Sequence, residues 1–447
     1  MVEIRTRRIK YSVATSAASK LVTIGAQLLA VPIAIKALGV SQYGVFIMLS
    51  AALTWVSMGN IGVGPGLIKG IAASVAKGDQ LEESRYFTTA LFLVTSIAIL
   101  LLSILIITIL LLPMGAVFGV QTSELAFEIQ VGVILLGGVL SLQVILSVVE
   151  ASRAGYQEQY VNNLWGIFGN TLSIILLLAV ALYWPTIAGM IIAVYGTVVF
   201  AKLLNGVHLV TVKRPYLMPR FENFNISFIR ILMSTGLAFL LVQISALVNQ
   251  QSGVLLLGTM LGAESVVSYA TMFRLVILAG GIVAMVSQPL LPAYIDAVAR
   301  GDTKWALKAY RKSSFLLMTY AVVAGILFAT FGQDIIRLWV GESIVPSLMV
   351  QKLFGLYFVL SMWAHINYIA LFGMGVVWRS SIALLVESLL MVLIATWLIE
   401  DMGAAGAVAA LCIANICIST WFLPLLLKQS MARFSQINET RKNLEEV

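Results

Sequence analysis

The stretch YSVATSAASKLVTIGAQLLAVPIAIK, residues 11–36, decides the fold. Arg5, Arg7, Arg8 and Lys10 precede it, which gives the beginning of the chain the look of a secretory signal. The apolar region of a signal runs to only about 7–15 residues. This run is longer, and many others follow it, so it reads as a first transmembrane helix, for which about 20 apolar residues cross a hydrocarbon core of about 30 Å. The rest of the chain agrees. Of 447 residues 60% are hydrophobic and 11% charged, with a mean hydropathy of +0.99, whereas soluble domains carry about 25% charged residues. Little chain remains for a soluble part, which excludes a large catalytic head, a nucleotide-binding cassette and a nucleic-acid reader despite a pI of 9.4.

Working outward, twelve spans are expected at about 11–36, 44–66, 87–112, 127–149, 161–183, 187–210, 230–257, 265–291, 314–331, 350–373, 380–399 and 403–427. The basic residues test the count, because short cytoplasmic loops collect Lys and Arg. With the N-terminus inside, 22 of the 28 basic residues fall in the segments assigned to the cytoplasm. Only Lys36 and Arg337 lie outside, and Lys20, Lys202, Arg274 and Lys352 lie within spans. A miscounted helix would scramble that asymmetry. Both termini are therefore expected in the cytoplasm, and the net charge of +8 records mainly orientation in the membrane.

The chain also repeats itself. Leu38-Gly39 and Leu261-Gly262, Gln27 and Gln250, and Ala76-Lys77-Gly78-Asp79 and Ala299-Arg300-Gly301-Asp302 all match at one offset of 223; Ala188-Gly189 and Ala405-Gly406 match at 217, after a loop deletion. Six spans per half make the repeats parallel, related by an axis along the membrane normal. The expected organisation is a first lobe at 1–212, a cytoplasmic linker at 213–229, a second lobe at 230–427 and a cytoplasmic tail at 428–447. Each half interrupts its second helix, at Gly62, Gly64, Pro65 and Gly66 in the first and at Pro289 and Pro292 in the second. Such breaks either mark the transport path and its moving parts or simply end helices.

Charges at membrane depth ask for a reason, since each costs at least ~2.5 kcal/mol on insertion scales. Lys20 and Arg274 each sit nine residues into their spans, from opposite faces, which puts both about 14 Å deep. Either they snorkel, or they line a polar cavity near the midplane. Two such cations without an acidic cluster would hold an anion, and Arg suits bidentate phosphate contacts. Gln27, Gln243, Asn249, Gln250 and Gln251 supply uncharged donors, for sugar hydroxyls or for hydrogen bonds between helices. Glu387 is a coupling group, a partner for a base or a neutral buried acid. His365 reads as a hydrogen-bonded packing residue, and Lys202 and Lys352 as snorkelling side chains. Cys412 and Cys417, about 140° apart around a helix, neither bridge nor share a metal, and no metal or nucleotide motif is present. The Gly62–Gly70 stretch lacks the spacing of a phosphate loop, so transport would run on ion gradients or product removal, with no cofactor.

Three segments carry a family resemblance. Residues 38–46, LGVSQYGVF, resemble the loop after the first span of Wzx-type polysaccharide and O-antigen flippases of the multidrug/oligosaccharidyl-lipid/polysaccharide exporter superfamily; residues 153–160, RAGYQEQY, and 334–342, DIIRLWVGE, resemble their loops before span five and after span nine. With the repeat, the resemblance covers nearly the whole chain. It implies an all-α membrane fold of two six-helix lobes. It also implies alternating-access transfer of an undecaprenyl-pyrophosphate-linked oligosaccharide to the outer leaflet of a bacterial inner membrane, and basic cavity residues that fall on Lys20 and Arg274. Further implications are H+ or Na+ coupling, contact with membrane lipid, and a polysaccharide polymerase and chain-length regulator as partners. Two rivals remain: a cation-exporting drug antiporter of the same superfamily, which would prefer an acidic cavity, and a membrane polymerase or ligase, which would show a long outer loop with catalytic residues.

Overall fold

In the computed structural model, residues 2–60, 62–111, 118, 123–233 and 237–445 are described. The end of the expected third span at residue 112, and the side chains of Arg5, Arg7, Arg8, Lys10, Arg441 and Lys442, lie outside that set. The described chain is helical, with no strand among the described residues. A backbone in lipid must satisfy its own hydrogen bonds, and a helix does so within one segment. The helices are α1 (Val2–Thr54), α2 (Val63–Lys77), α3 (Gln80–Leu111), α4 (Ser123–Gly155), α5 (Gln159–Tyr183), α6 (Ile187–Lys213, with two π-helical turns), α7 (Ile226–Met233), α8 (Leu237–Leu261), α9 (Ala263–Ser287), α10 (Leu290–Ala299), α11 (Thr303–Val340), α12 (Leu348–Gly373), α13 (Val377–Met402), α14 (Ala404–Cys417) and α15 (Ser419–Glu445).

Among the described residues, eleven stretches are long and apolar enough to cross a membrane. The first, Ala14–Ser57, has 44 residues, or about 66 Å at 1.5 Å per residue, twice the thickness of a hydrocarbon core. Gly39, at φ 79° and ψ 169°, breaks it between the expected first and second spans, and the other ten stretches each fall on one of the remaining expected spans. Gly262, between α8 and α9, has nearly the same backbone, φ 88° and ψ 163°. The repeat seen in sequence is thus a repeat of backbone conformation. Exposed apolar side chains continue along whole helix faces, as with Ile99, Leu100, Ile104, Ile107 and Leu110 on α3, a pattern that suits a lipid surrounding.

The chain divides into two compact units, Met1–Leu240 and Leu241–Val447. The division falls at 240, whereas the sequence suggested a cytoplasmic linker over 213–229 and a second lobe from 230. The physical reason is that the segment after α6 is stitched to the first unit. Asn223 donates to Ser84 Oγ at 2.8 Å, the Asn225 backbone N–H donates to Thr89 Oγ1 at 3.1 Å, and the Phe228 ring meets Tyr86 edge-on at 4.4 Å. Gly66 on α2 lies against the backbone of Leu232 on α7, a contact any side chain at 66 would obstruct. Gly62 caps α2 at φ 78°, with Gly64, Pro65 and Gly66 in its first turn; Pro289 caps α10, with Pro292 in its first turn. In both units the second apolar helix is therefore interrupted and restarts as a short helix.

Candidate functional site

The second unit contains a cavity of about 230 Å³, mostly apolar but with a set of polar side chains, formed where α8, α12, α13 and α14 meet. α8 contributes Asn249 and Gln250, α12 contributes Tyr357 and His365, α13 contributes Glu387, and α14 contributes Asn415. Glu387 is only 5% exposed. Its carboxylate accepts from Asn415 Nδ2 at 3.1 Å and from the Ser419 hydroxyl. Asn415 Oδ1 in turn accepts from Thr420 Oγ1 at 3.1 Å. Asn249 Oδ1 is buried and makes no hydrogen bond among the described residues, so the cavity that holds the carboxylate also retains an unused acceptor. Such an oxygen-rich set suits a proton or a hard monovalent cation. His365 donates to, or accepts from, Ser287 Oγ at 2.8 Å, a partner on α9. Gln243 lies on α8 but is exposed, outside the lining.

Glu387, Asn249 and Gln250 were legible as polar residues in apolar helices. Asn415 and Ser419 were missed. Their signal was available: two polar residues one helical turn apart in an otherwise apolar run present one face.

In the first unit the polar face of α1 turns toward α5: Asn163 donates to Thr15 and Ser16 at 3.1 and 2.8 Å, and Asn170 donates to Thr23 at 3.2 Å. Lys20 lies on this stretch and is exposed, with Gln27 two turns further along the same face and half-buried. Arg274, half-buried on α9, belongs to the second unit. Among the described residues neither Lys20 nor Arg274 has an acidic partner. Lys202 differs from its snorkelling expectation, because its ammonium pairs with Glu150 at 3.0 Å.

A third cluster was read in sequence only as a loop. Arg153, at the end of α4, is 0% exposed; it donates to Glu158 at 3.0 Å, to the Asn205 carbonyl at 3.3 Å and to His208 Nδ1 at 2.9 Å. Glu158 also accepts from Arg214 at 2.8 Å, and the Arg214 guanidinium lies 3.6 Å from the centre of the Tyr156 ring. Both Tyr156 and Tyr216 donate to Glu83 Oε2, at 2.7 and 2.6 Å. Burial, reinforced by these bonds to Glu83, raises both phenols above their ordinary pKa and keeps them donors. The RAGYQEQY segment is thus a clamp that holds residues 214–216 against the first unit. The DIIRLWVGE segment is a local network in which Arg337 bonds Asp334 and Glu342, each at 2.7 Å.

With this geometry in place, similarity to known proteins narrows the reading. The family model described as "Polysaccharide biosynthesis protein" matches residues 10–297. A Salmonella typhi protein provisionally named as an O-antigen transporter is 24% identical over 387 residues, covering 84% of this chain and 82% of its own. Among solved structures, an inward-facing multidrug resistance MATE family transporter of the MOP superfamily superposes with a TM-score of 0.79 at 15% identity, over 92% of this chain and 98% of that one. A MOP superfamily transporter from Pyrococcus furiosus does so at 0.61 and 15%, over 96% and 95%. The fold is therefore that of the MATE-like transporters.

Proposed function

The chain belongs to the polysaccharide biosynthesis protein family, and from that premise we propose that it is a flippase, a transporter and not an enzyme, for a lipid-linked oligosaccharide. In this reading the substrate is an oligosaccharide on undecaprenyl pyrophosphate, carried from the cytoplasmic to the outer leaflet of a bacterial inner membrane by alternating access. The termini face the cytoplasm, as the distribution of 22 of 28 basic residues favours. The two units, Met1–Leu240 and Leu241–Val447, act as the moving lobes, and the breaks at Gly62–Gly66 and Pro289–Pro292 as places where their second helices flex.

One observation carries the proposal. Of the four basic residues within expected spans, Lys202 is paired with Glu150, and Lys352 is four residues from the start of α12. Among the described residues, Lys20 and Arg274 are both deep and without an acid. Charges left unneutralised in an apolar setting are costly, so they are retained for a ligand of opposite sign. A pyrophosphate is such a ligand, and Arg in particular matches its geometry. Gln27, Gln243 and Gln250 then serve the glycan, while the prenyl tail stays in lipid. The Glu387 cavity supplies the coupling site for H+ or Na+, with Asn249 and Asn415 as additional oxygen ligands. A polysaccharide polymerase and a chain-length regulator are the protein partners that would receive the product. A cation-exporting antiporter fits less well, because the free charges are positive.

The test is Lys20→Ala with Arg274→Ala in cells whose surface glycan depends on this gene. Surface glycan should fall to background while the protein level in the membrane is unchanged. Wild-type glycan at normal protein level would sink the electrostatic role, and dye efflux lost together with intact glycan would favour the antiporter.

A further inference from the structure

The second unit has another cavity that the transport reading does not use. It is a groove of about 350 Å³ between the α9–α10 junction and the first three turns of α11, lined by Val286 and Leu290 on one side and by Trp305, Lys308, Lys312 and Leu316 on the other. The α11 residues recur every three to four positions and so form one face of the helix. α11 has 38 residues, about 57 Å, against a hydrocarbon core of about 30 Å. Its beginning, where the lysines lie, therefore projects past the core, while Leu316 and Val286 mark the part that enters it.

The chemistry of the groove is uneven. Its floor is apolar, and Val286, Trp305 and Leu316 are 40%, 41% and 59% exposed. Lys308 and Lys312 stand one turn apart, and among the described residues neither has an acidic partner. Like charges at that spacing repel. An anion between them removes the repulsion. An apolar trough with two ammoniums at its mouth and a tryptophan at its rim matches an amphiphile with an anionic head, and basic pockets between spans at the membrane surface bind acidic headgroups.

We propose that this groove is a binding site for one anionic phospholipid, whose phosphodiester lies between Lys308 and Lys312 and whose acyl chain follows Leu290, Val286 and Leu316. The site shares none of the cargo-binding or coupling residues, although Leu290 lies in the Pro289–Pro292 break, and it does not depend on the identity of the cargo.

The full chain in detergent, loaded with an equimolar mixture of phosphatidylglycerol and phosphatidylcholine, tests it by native mass spectrometry. Retention of phosphatidylglycerol should exceed that of phosphatidylcholine by about tenfold, the order expected for two basic groups near an acidic headgroup. The preference should approach parity in K308Q/K312Q and persist in K304Q/R311Q, which changes two neighbouring cations outside the groove. A preference that survives in K308Q/K312Q, or disappears equally in K304Q/R311Q, overturns the site. Displacement by inorganic phosphate, or by a prenyl pyrophosphate at equal concentration, reassigns the groove and overturns it as well. A second measurement avoids lysine variants. Brominated phosphatidylglycerol should quench the fluorescence difference between the wild-type protein and W305F, and brominated phosphatidylcholine should leave it nearly intact; equal quenching by both overturns the proposal.

Discussion

The turn at 153–158 in the first unit and the turn at 371–376 in the second share a backbone and differ in chemistry. In the first, the N–H of Gln157 reaches the Ala154 carbonyl at 3.0 Å and that of Glu158 reaches Arg153 at 2.8 Å; in the second, Gly375 reaches Phe372 at 3.0 Å and Val376 reaches Leu371 at 2.9 Å. The left-handed residue of each turn is Gln157 at φ 59° and Gly375 at φ 78°. Gly155 lies against Ile71 of α2, and Gly373 against Tyr294 of α10, and these two partners are themselves 223 residues apart. Yet where the first turn carries Arg153, Tyr156 and Glu158, the second carries Leu371, Met374 and Val376. Close helix approach at a glycine is what both turns need in order to fold. The ionic clamp is an addition, and its added work is to hold Arg214 and Tyr216.

This comparison can be broken most forcefully at Glu158. Glu158→Ala leaves Arg153 buried without its acid and should cost about 3–5 kcal/mol, read as a large drop in the thermal unfolding midpoint of the detergent-solubilised protein. Installing the apolar version of the turn, Arg153→Leu, Tyr156→Met and Glu158→Val together, should recover much of that loss, because it removes the stranded charge as well as its partner. It should at the same time release residues 214–216, seen as faster proteolysis after Lys213 or Arg214. A triple variant as unstable as Glu158→Ala would mean that the two turns are not equivalent.

Alanine at the contact glycines comes next in size. Gly155→Ala and Gly373→Ala each force a methyl group into a neighbouring helix and should cost about 1–3 kcal/mol. The larger loss is expected at Gly373, where the added carbon would meet the backbone-proximal part of the Tyr294 side chain. Equal midpoints for the two variants would remove that ranking. The smallest effect belongs to the left-handed residue. Gly375→Gln should cost about 1 kcal/mol, and Gln157→Gly should change stability by no more than about 0.5 kcal/mol, as relief of the left-handed strain offsets the added freedom of the unfolded chain. Opposite signs in the same assay would show that Gln157 makes a contact worth more than its backbone costs.

Much of the fold was legible because the signals are local. Apolar run length reports spans, and Gly39 and Gly262 report the matching breaks, since a backbone with φ near 80° is open to glycine and to few other residues. The charges were less legible. Arg153 read as a marker of sidedness in a loop and is instead fully buried, and Lys202 read as snorkelling and is instead paired. Glu387 was visible as an isolated acid, but its bonds to Asn415 and Ser419 join residues 28 and 32 positions away.

The sequence by itself determined an all-helical membrane chain and its duplication, because the cost of placing backbone and charge in hydrocarbon acts on each segment separately. Only the tertiary structure decided which charges are neutralised. Whether a buried ion is tolerated depends on a partner within a few ångströms. Arg153 meets Glu158 within the same turn, but Arg214 with Glu158 and Lys202 with Glu150 are pairings between segments far apart in the chain. Packing brought them together and left Lys20 and Arg274 without an acid among the described residues.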